Sequence, residues 1–175
     1  MRQFDAIVIG AGSGGLTAAR RLSLAGKRTA IVEADRLGGD CLNWGGVPTK
    51  TLISTAKLCH QIAHAGAIGL QVDAARLDFA AVMAHVAGVQ AELGTEERRY
   101  YIEEPGVEVI HGTAKFTDPY TVKIGNDELV HFEHCIIATG SRAMTPPGGS
   151  RGPLAGPCLP QRARSGGFGA LAPGL

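Results

Sequence analysis

The sequence lacks three features that would place it in a broad functional class. It has no excess of one charge, since 17 Lys and Arg stand against 16 Asp and Glu for a net charge of +1, which argues against a nucleic-acid partner. It has no apolar run near the ~20 residues that a transmembrane helix needs. It has no signal-peptide pattern, because the apolar stretch 6–9 is followed at once by Gly10. We therefore expect a cytoplasmic protein with no nucleic-acid partner and no membrane partner.

Acidic residues are also missing from the end of the chain. Residues 148–175 contain three Arg, no Asp or Glu, 8 of the 25 Gly and 4 of the 9 Pro, and they show neither a helical nor a strand period. We expect this segment to be disordered and residues 1–147 to form the folded part. The same Gly/Pro/Arg bias suggests a frameshift near Pro146 and Pro147, with a natural flexible tail as the alternative.

Apolar periodicity divides the body of the chain into alternating strands and helices. Strands are predicted at residues 4–9, 28–32, 107–110, 114–116, 121–124, 129–132 and 135–138. Helices are predicted at residues 16–25 and 49–64, and from Asp78 as the N-cap to a stop before Pro105. The apolar faces of these helices hold Ala18, Leu22 and Ala25; Leu52, Ala56, Cys59 and Ala63; and Phe79, Val82, Met83, Val86 and Leu93. This order is typical of an α/β Rossmann-type fold with a parallel sheet and a small antiparallel meander insertion.

A glycine-rich hexapeptide joins the first predicted strand to the first predicted helix. Its sequence Gly10-Ala11-Gly12-Ser13-Gly14-Gly15 fits G-x-G-x-x-G, and Glu33 ends the next strand 18 residues after Gly15. In such a turn the first glycine allows the tight bend, the second lets a pyrophosphate approach, and the third allows close helix–strand packing. The helix N-terminus offers its N–H groups to the phosphates. The Glu33 carboxylate can accept both hydroxyls of an adenosine ribose and would repel a 2′-phosphate. The pattern therefore predicts a site for NAD or FAD rather than NADP.

The segment from Gly38 to Lys50, GGDCLNWGGVPTK, contains a single cysteine, Cys41. It resembles the redox-active stretch of the flavin-dependent pyridine nucleotide-disulfide oxidoreductases, which include dihydrolipoamide dehydrogenase, glutathione reductase and mercuric reductase. In that family a second cysteine follows the first, and Gly46 stands at its position here. A disulfide needs two sulfurs ~2 Å apart, so dithiol chemistry cannot run between these two positions.

The resemblance runs from residue 4 to about residue 147 and implies that the cofactor is FAD, because in this family the N-terminal fingerprint binds the flavin. Besides the hexapeptide and Glu33, it implies cofactor contacts at Gly39, Asp40, Cys41, Lys50, Ala114, Thr139, Gly140 and Ser141. Lys50 would lie near the flavin N5 and stabilise negative charge on the reduced flavin. Ala114 would contact the adenine end through its backbone. Cys41, as the exchange thiol, and Lys50 are the candidate catalytic residues.

Later parts of the family pattern have no counterpart after residue 147. No second G-x-G-x-x-G for NAD(P)H follows, and on this resemblance we expect the interface domain that forms the family's homodimer to be absent from this chain. We therefore expect a truncated FAD-binding portion that is not catalytically competent alone. Two alternatives stay open. One is a disulfide-free flavin enzyme that resembles the soluble pyridine nucleotide transhydrogenases and needs a second chain. The other is a non-catalytic folded remnant that binds FAD weakly or not at all.

The other cysteines and histidines predict no further site. Cys59 and Cys135 lie in apolar patterns and are interpreted as small core residues. His60 and His64 have a spacing that can hold a metal, but no third ligand accompanies them on the helix. This favours a solvated helix face, and we predict no metal site.

Overall fold

The computed structural model describes residues 1–72 and 76–141. Its strands are β1 (Arg2–Ile9), β2 (Thr29–Glu33), β3 (Glu108–His111), β4 (Ala114–Asp118), β5 (Thr121–Ile124) and β6 (Glu128–Ile137). Its helices are α1 (Ser13–Leu24), α2 (Gly39–Asn43), α3 (Gly46–His64) and α4 (Phe79–Arg98). A 3₁₀ turn at Ala65–Ile68 follows α3, and a π-helical turn at Arg99–Glu103 follows α4.

The strands form one mixed sheet with the order β3-β2-β1-β6-β5-β4. β3, β2, β1 and β6 are parallel neighbours, whereas β4, β5 and the first part of β6 form an antiparallel meander. In the parallel part, Val8 of β1 lies opposite Ile31 of β2 and Ile136 of β6. The α/β Rossmann-type fold with a parallel sheet and a meander insertion is therefore confirmed.

The two edge strands of this sheet are neighbours along the chain. β3 ends at His111 and β4 begins at Ala114, and three residues span at most about 11 Å. In a flat sheet with strands about 4.8 Å apart, the outer two of six strands would be about 24 Å apart. The sheet must therefore curl, so that the meander lies over one face of the parallel strands. Gly112 allows this switch, because its φ is 147° and an added Cβ would lie 2.9 Å from Ile124 Cγ2.

Each face of the parallel strands carries its own apolar cluster. On the face covered by the meander, the cluster includes Ile7, Ala30, Val32, Ile110, Val122 and Ile124, and Phe4, Val130 and Phe132 belong to the same cluster. The opposite face includes Val8, Ala11, Leu16, Ala19, Ile31, Ile102 and Val107. Leu16 and Ala19 belong to α1 and Ile102 to the π-helical turn, so these two elements cover the second face. This packing holds the start of α1 close to the carboxyl ends of β1 and β2.

Strand β6 corrects one prediction. The segments 129–132 and 135–138 were predicted as separate strands, the second of them buried, but they form the single strand β6. Glu133 and His134 separate the two apolar runs in the sequence, yet both continue the strand as exposed residues. Cys135 is half-buried, and Ile137 keeps 66% of its surface exposed. The end of β6 is therefore not a buried strand.

The predicted helix faces are only partly right. In α1 the buried residues are Gly15, Leu16 and Ala19, with Ala18 and Leu22 at the margin, whereas Ala25 lies beyond the helix and is exposed. α3 begins at Gly46 rather than Thr49. Pro48 is tolerated in this first turn, because an N–H group at that place would have no acceptor within the helix. On α3 the half-buried side chains include Thr51, Leu52, Thr55, Cys59 and Ile62, and Ala56 and Ala63 are exposed. On α4, Val86 is buried and Phe79 is 43% exposed.

Helix α4 begins as predicted at an aspartate cap. Asp78 Oδ1 accepts hydrogen bonds from the N–H groups of Ala80 at 3.0 Å and Ala81 at 3.1 Å. We expect Asp78→Ala to lower the free energy of unfolding by about 1 kcal/mol, the usual loss for an N-cap. Urea denaturation measures this change, and Asp78→Asn, which keeps an acceptor, is the control. An Asp78→Ala variant as stable as Asp78→Asn would show that the cap contributes nothing.

Some sequence-based expectations lie outside the described residues. The chain divides into two units, Met1–Thr139 and Gly140–Leu175. In the second unit only Gly140 and Ser141 are described, so the boundary predicted at 147, the tail predicted at 148–175 and the frameshift predicted near Pro146 lie outside the described residues. Within residues 1–72 and 76–141, no helix combines the length and the apolar character that crossing a bilayer requires.

Candidate dinucleotide and redox site

The turn between β1 and α1 requires glycine at two positions for reasons within the protein. Gly10 has a φ of 103°, and an added Cβ there would overlap the Ala138 carbonyl oxygen. Gly15 lies in the first turn of α1, and an added Cβ would overlap the Gly10 carbonyl oxygen and lie 3.4 Å from Val8 Cγ1. The tight bend at Gly10 and the close helix–strand packing at Gly15 are therefore confirmed.

Two other glycines of the hexapeptide are not required by packing within the described protein. An added Cβ at Gly12 would lie 3.8 Å from Gly39 Cα, an ordinary van der Waals distance, and one at Gly14 would meet nothing within 4 Å. Neither residue has a positive φ. A glycine without an internal reason, next to a helix N-terminus, fits a position that a ligand approaches closely.

Glu33 faces this turn from the end of β2. Its Oε2 accepts a hydrogen bond from the Ala11 N–H at 2.7 Å, and its Oε1 accepts one from the Asp35 N–H at 2.8 Å. The side chain is half-buried. A carboxylate has about four acceptor positions, so each oxygen keeps capacity for a further donor. The two amides fix the carboxylate beside the glycine turn, where it can accept hydroxyl groups of a ribose.

The N-terminus of α1 is open to an anion. Its N-cap, Gly12, makes no side-chain capping bond, and the first turn contains no acidic residue. The first N–H groups of a helix have no intrahelical partner, and the helix dipole favours negative charge at this end. The exposed Ser13 and Gly14 lie in this first turn. Together with Gly12 and Gly14, this end of α1 has the chemistry of a pyrophosphate site.

The later predicted contacts lie at two different places. Ala114 is the half-buried first residue of β4. It lies two residues after Gly112, whose N–H donates to the Glu33 carbonyl oxygen at 2.8 Å. Thr139 follows β6, and an added Cβ at Gly10 would lie 3.1 Å from Thr139 Cα. The structure thus brings Ala114 towards Glu33 and Thr139 towards Gly10. Gly140 and Ser141 belong to the second unit, and their role stays a prediction.

Asp40 and Cys41 lie on α2, a five-residue helix that the sequence pattern did not predict. The segment begins against the glycine turn, since an added Cβ at Gly39 would lie 2.6 Å from Gly12 Cα. The Gly38 N–H donates to the Ala11 carbonyl oxygen at 2.9 Å. Both Asp40 and Cys41 are exposed. The predicted redox segment and the predicted phosphate turn are therefore adjacent.

Gly46 stands where it would complete a disulfide if it had a sulfur. An ideal Cβ at Gly46 would lie 3.1 Å from Cys41 Sγ. In a disulfide, each Cβ lies about 3 Å from the partner's sulfur, as follows from an S–S bond of ~2.04 Å and normal bond angles. Gly46 has no positive φ that would exclude a side chain. The backbone therefore keeps the arrangement of a cysteine pair around one remaining thiol.

The remaining candidates differ in exposure. Lys50 is an exposed residue near the start of α3, and the structure neither adds to nor removes its predicted role. Cys59 and Cys135 are half-buried, and burial raises the pKa of the Cys135 thiol. His60 and His64 are exposed on α3 with stacked rings whose centroids are 4.1 Å apart. Of the three described cysteines, Cys41 is the exposed one.

A glycine turn between β1 and α1, with a carboxylate from the end of β2 beside it, defines a dinucleotide-binding protein of the Rossmann type. The sequence matches the family described as pyridine nucleotide-disulphide oxidoreductase over residues 4–158. The chain belongs to this family, and the resemblance is confirmed. The relatives that the chain matches in this family are FAD-dependent flavoproteins.

Individual relatives agree with this assignment. The chain is 40% identical over 152 residues to a dihydrolipoyl dehydrogenase of Haloferax volcanii, covering 82% of this chain and 31% of the relative. It is 37% identical over 146 residues to a dihydrolipoyl dehydrogenase of Geobacillus stearothermophilus, with the same coverage of 82% and 31%. Among solved structures, the Cu(II) complex of the HOCl-induced flavoprotein disulfide reductase RclA from Escherichia coli superposes with a TM-score of 0.69 at 28% identity. That superposition covers 84% of this chain and 31% of RclA. The chain thus spans about a third of the length of the proteins that it matches.

Proposed function

We propose that this chain supplies the FAD-binding part of a flavin-dependent oxidoreductase and holds the adenosine diphosphate portion of FAD at the β1–α1 turn. The observation that carries the proposal is the Glu33 carboxylate, fixed by the Ala11 N–H at 2.7 Å. It lies beside a turn in which no contact with the described residues requires glycine at Gly12 or Gly14. FAD has the two groups that this arrangement fits, a ribose with two hydroxyls and a pyrophosphate.

The individual residues would share this task. The first turn of α1 would donate N–H hydrogen bonds to the pyrophosphate, with Gly10, Gly12, Ser13, Gly14 and Gly15 forming the surface around it. Glu33 would accept the ribose hydroxyls. The backbone around Ala114, close to Glu33 through Gly112, would border the adenine. Gly39 and Thr139 would border the rest of the dinucleotide.

The redox segment would lie along the flavin end of the cofactor. When bound, the flavin would supply the electron transfer, and Asp40, Cys41 and Lys50 are the residues that we propose next to it. The Lys50 ammonium would favour negative charge on the isoalloxazine ring. Because Gly46 has no sulfur, Cys41 would act as a single thiol, with no internal disulfide to Gly46. This distinguishes the chain from a disulfide reductase that uses a cysteine pair at these two positions.

Titration with FAD, followed by flavin fluorescence, tests the proposal. We expect binding with a dissociation constant of about 1 µM or lower, which corresponds to about −8 kcal/mol. We expect Glu33→Gln to weaken this binding tenfold or more, because an amide would turn a donor towards one of the two backbone N–H groups that the carboxylate accepts. The dissociation constants of the two proteins are compared at one salt concentration.

Glu92→Gln is the matched control, since Glu92 is an exposed glutamate on α4 outside the turn, and we expect it to bind FAD like the unmodified chain. Titration with NAD separates the two cofactors that the hexapeptide alone leaves open. The proposal is wrong if FAD does not bind at about 100 µM, a hundred times the expected constant, or if Glu33→Gln binds it as tightly as Glu92→Gln does.

A further inference from the structure

The helix α2 is too short to be stable by its own hydrogen bonds. It has five residues, whereas isolated helices shorter than about 12 residues are marginal in water. Its position must therefore be set by contacts with the rest of the protein. Since Cys41 is the third residue of α2, whatever holds this helix also sets the position of the thiol.

The beginning of α2 is held from within the same segment. The Asn43 Nδ2 group donates hydrogen bonds to the Leu37 carbonyl oxygen at 2.9 Å and to the Gly39 carbonyl oxygen at 2.8 Å. The N–H groups of Trp44 and Gly45 both donate to the Asp40 carbonyl oxygen, at 2.8 Å and 2.7 Å. These bonds close the turn on itself, but they do not attach its end to another element.

The end of α2 is held by a side chain from α4. Gln90 Nε2 donates to the Leu42 carbonyl oxygen at 2.9 Å and to the Asn43 carbonyl oxygen at 3.0 Å. The last carbonyls of a helix have no partner within the helix, and here one amide satisfies two of them. The atom that faces both carbonyls must be nitrogen, because an amide oxygen would be repelled by both. Gln90 is half-buried, which limits the access of water to these bonds.

Packing supports the same attachment. Leu42 is buried with 6% of its surface exposed, and an added Cβ at Gly94, one turn after Gln90 on α4, would lie 3.4 Å from Leu42 Cδ2. The side of α2 away from the thiol therefore rests on α4, while Cys41 remains exposed. Gln90 and Gly94 together form the surface of α4 that receives this turn.

We propose that Gln90 is a positioning residue for the redox segment: by donating to two carbonyls at the end of α2, it fixes the turn that carries Cys41 next to position 46. This inference rests on the proposed function only for the assignment of this segment to the flavin end of the cofactor. The attachment itself requires neither FAD nor electron transfer. Gln90 is 47 and 48 residues away from its two acceptors in sequence and belongs to no motif of the segment.

Amide hydrogen exchange without FAD tests this role. The readouts are the Trp44 and Gly45 amides, which close the turn, compared with amides of β1 and β2. We expect Gln90→Met, which keeps the length of the side chain but has no donor, to speed exchange at Trp44 and Gly45 about tenfold and to leave the strand amides unchanged. A role limited to general stability would instead speed exchange throughout the protein and lower its unfolding midpoint.

Gln61→Met on α3 is the matched control, because Gln61 is an exposed glutamine, and we expect it to change none of these amides. If Gln90→Met does not fold, Gln90→Glu provides the same test with a side chain of nearly the same shape and no donor at neutral pH. Unchanged exchange at Trp44 and Gly45 in a folded Gln90 variant would overturn the inference. Failure of FAD to bind in the titration would contradict the proposed function but would not affect the result of the exchange experiment.

Discussion

Replacing Gly15 with alanine is expected to lower the free energy of unfolding by about 3 kcal/mol or more. A methyl group there would overlap the Gly10 carbonyl oxygen and press on Val8 Cγ1 at 3.4 Å. Overpacking in a well-packed interior commonly costs 1–3 kcal/mol. Here the clash is with backbone, which cannot rotate away as a side chain can. Since domains of this size have about 5–15 kcal/mol of stability in total, this substitution would remove roughly a fifth or more of that stability.

Gly14→Ala is the matched control, one residue earlier in the same turn of α1. An added Cβ at Gly14 meets none of the described residues within 4 Å, and alanine is favoured over glycine in a helix by about 0.5–1 kcal/mol. We expect this variant to be as stable as the unmodified chain or slightly more so. Urea denaturation followed by the fluorescence of Trp44, the one tryptophan, measures both. If the two variants unfold at the same urea concentration, the close packing at Gly15 is not a constraint.

The fold and the dinucleotide turn could be predicted from the sequence because their signals are local. Strand periodicity up to Ile9, the glycine spacing and the acidic residue at the end of the next strand are all properties of neighbouring residues. The register Ile9↔Val32 then places Glu33 at the end of β1, where the turn begins. The Asp78 cap was predictable for the same reason, since a cap acts on amides two and three residues away.

The wrong or missing predictions concern features that depend on residues far apart in the sequence. Glu133 and His134 look like a break between two strands, but β6 continues through them because it pairs with β1 on one side over Val130–Ile137. Helix α2 shows no period in five residues, and it forms because α4 and the β1–α1 turn hold it. Gln90 gave no signal at all, since a hydrogen bond across 48 residues depends on how α4 packs and not on any local pattern.

Replacing Gly46 with cysteine is expected to give a chain with an internal disulfide. The new Cβ would stand 3.1 Å from Cys41 Sγ, about the distance of ~3 Å that a disulfide requires, and no positive φ opposes a side chain at this residue. Closing this short loop is expected to stabilise the protein by about 2 kcal/mol through the unfolded chain. Neither the fold nor the rest of the segment has to move for the bond to form.

Titration of free thiols in denaturant, after mild oxidation, measures the bond. The natural chain has four cysteines, so the Gly46→Cys variant has one more and is expected to show three free thiols, because two are joined. Peptide mapping then identifies the linked pair as positions 41 and 46. Gly46→Ala controls for the added volume: its methyl would also stand 3.1 Å from the sulfur, but without a bond this contact is unfavourable.

The double variant Cys41→Ser with Gly46→Cys is a further control. It has four cysteines, as many as the natural chain, and all four should stay free because position 41 has no sulfur. If the Gly46→Cys variant also keeps every thiol free, the segment does not hold Cys41 in the place that the structure gives it. If the bond forms, Gly46 alone separates this chain from a cysteine pair. The surrounding backbone, held by α4 and the glycine turn, is then already built for the pair.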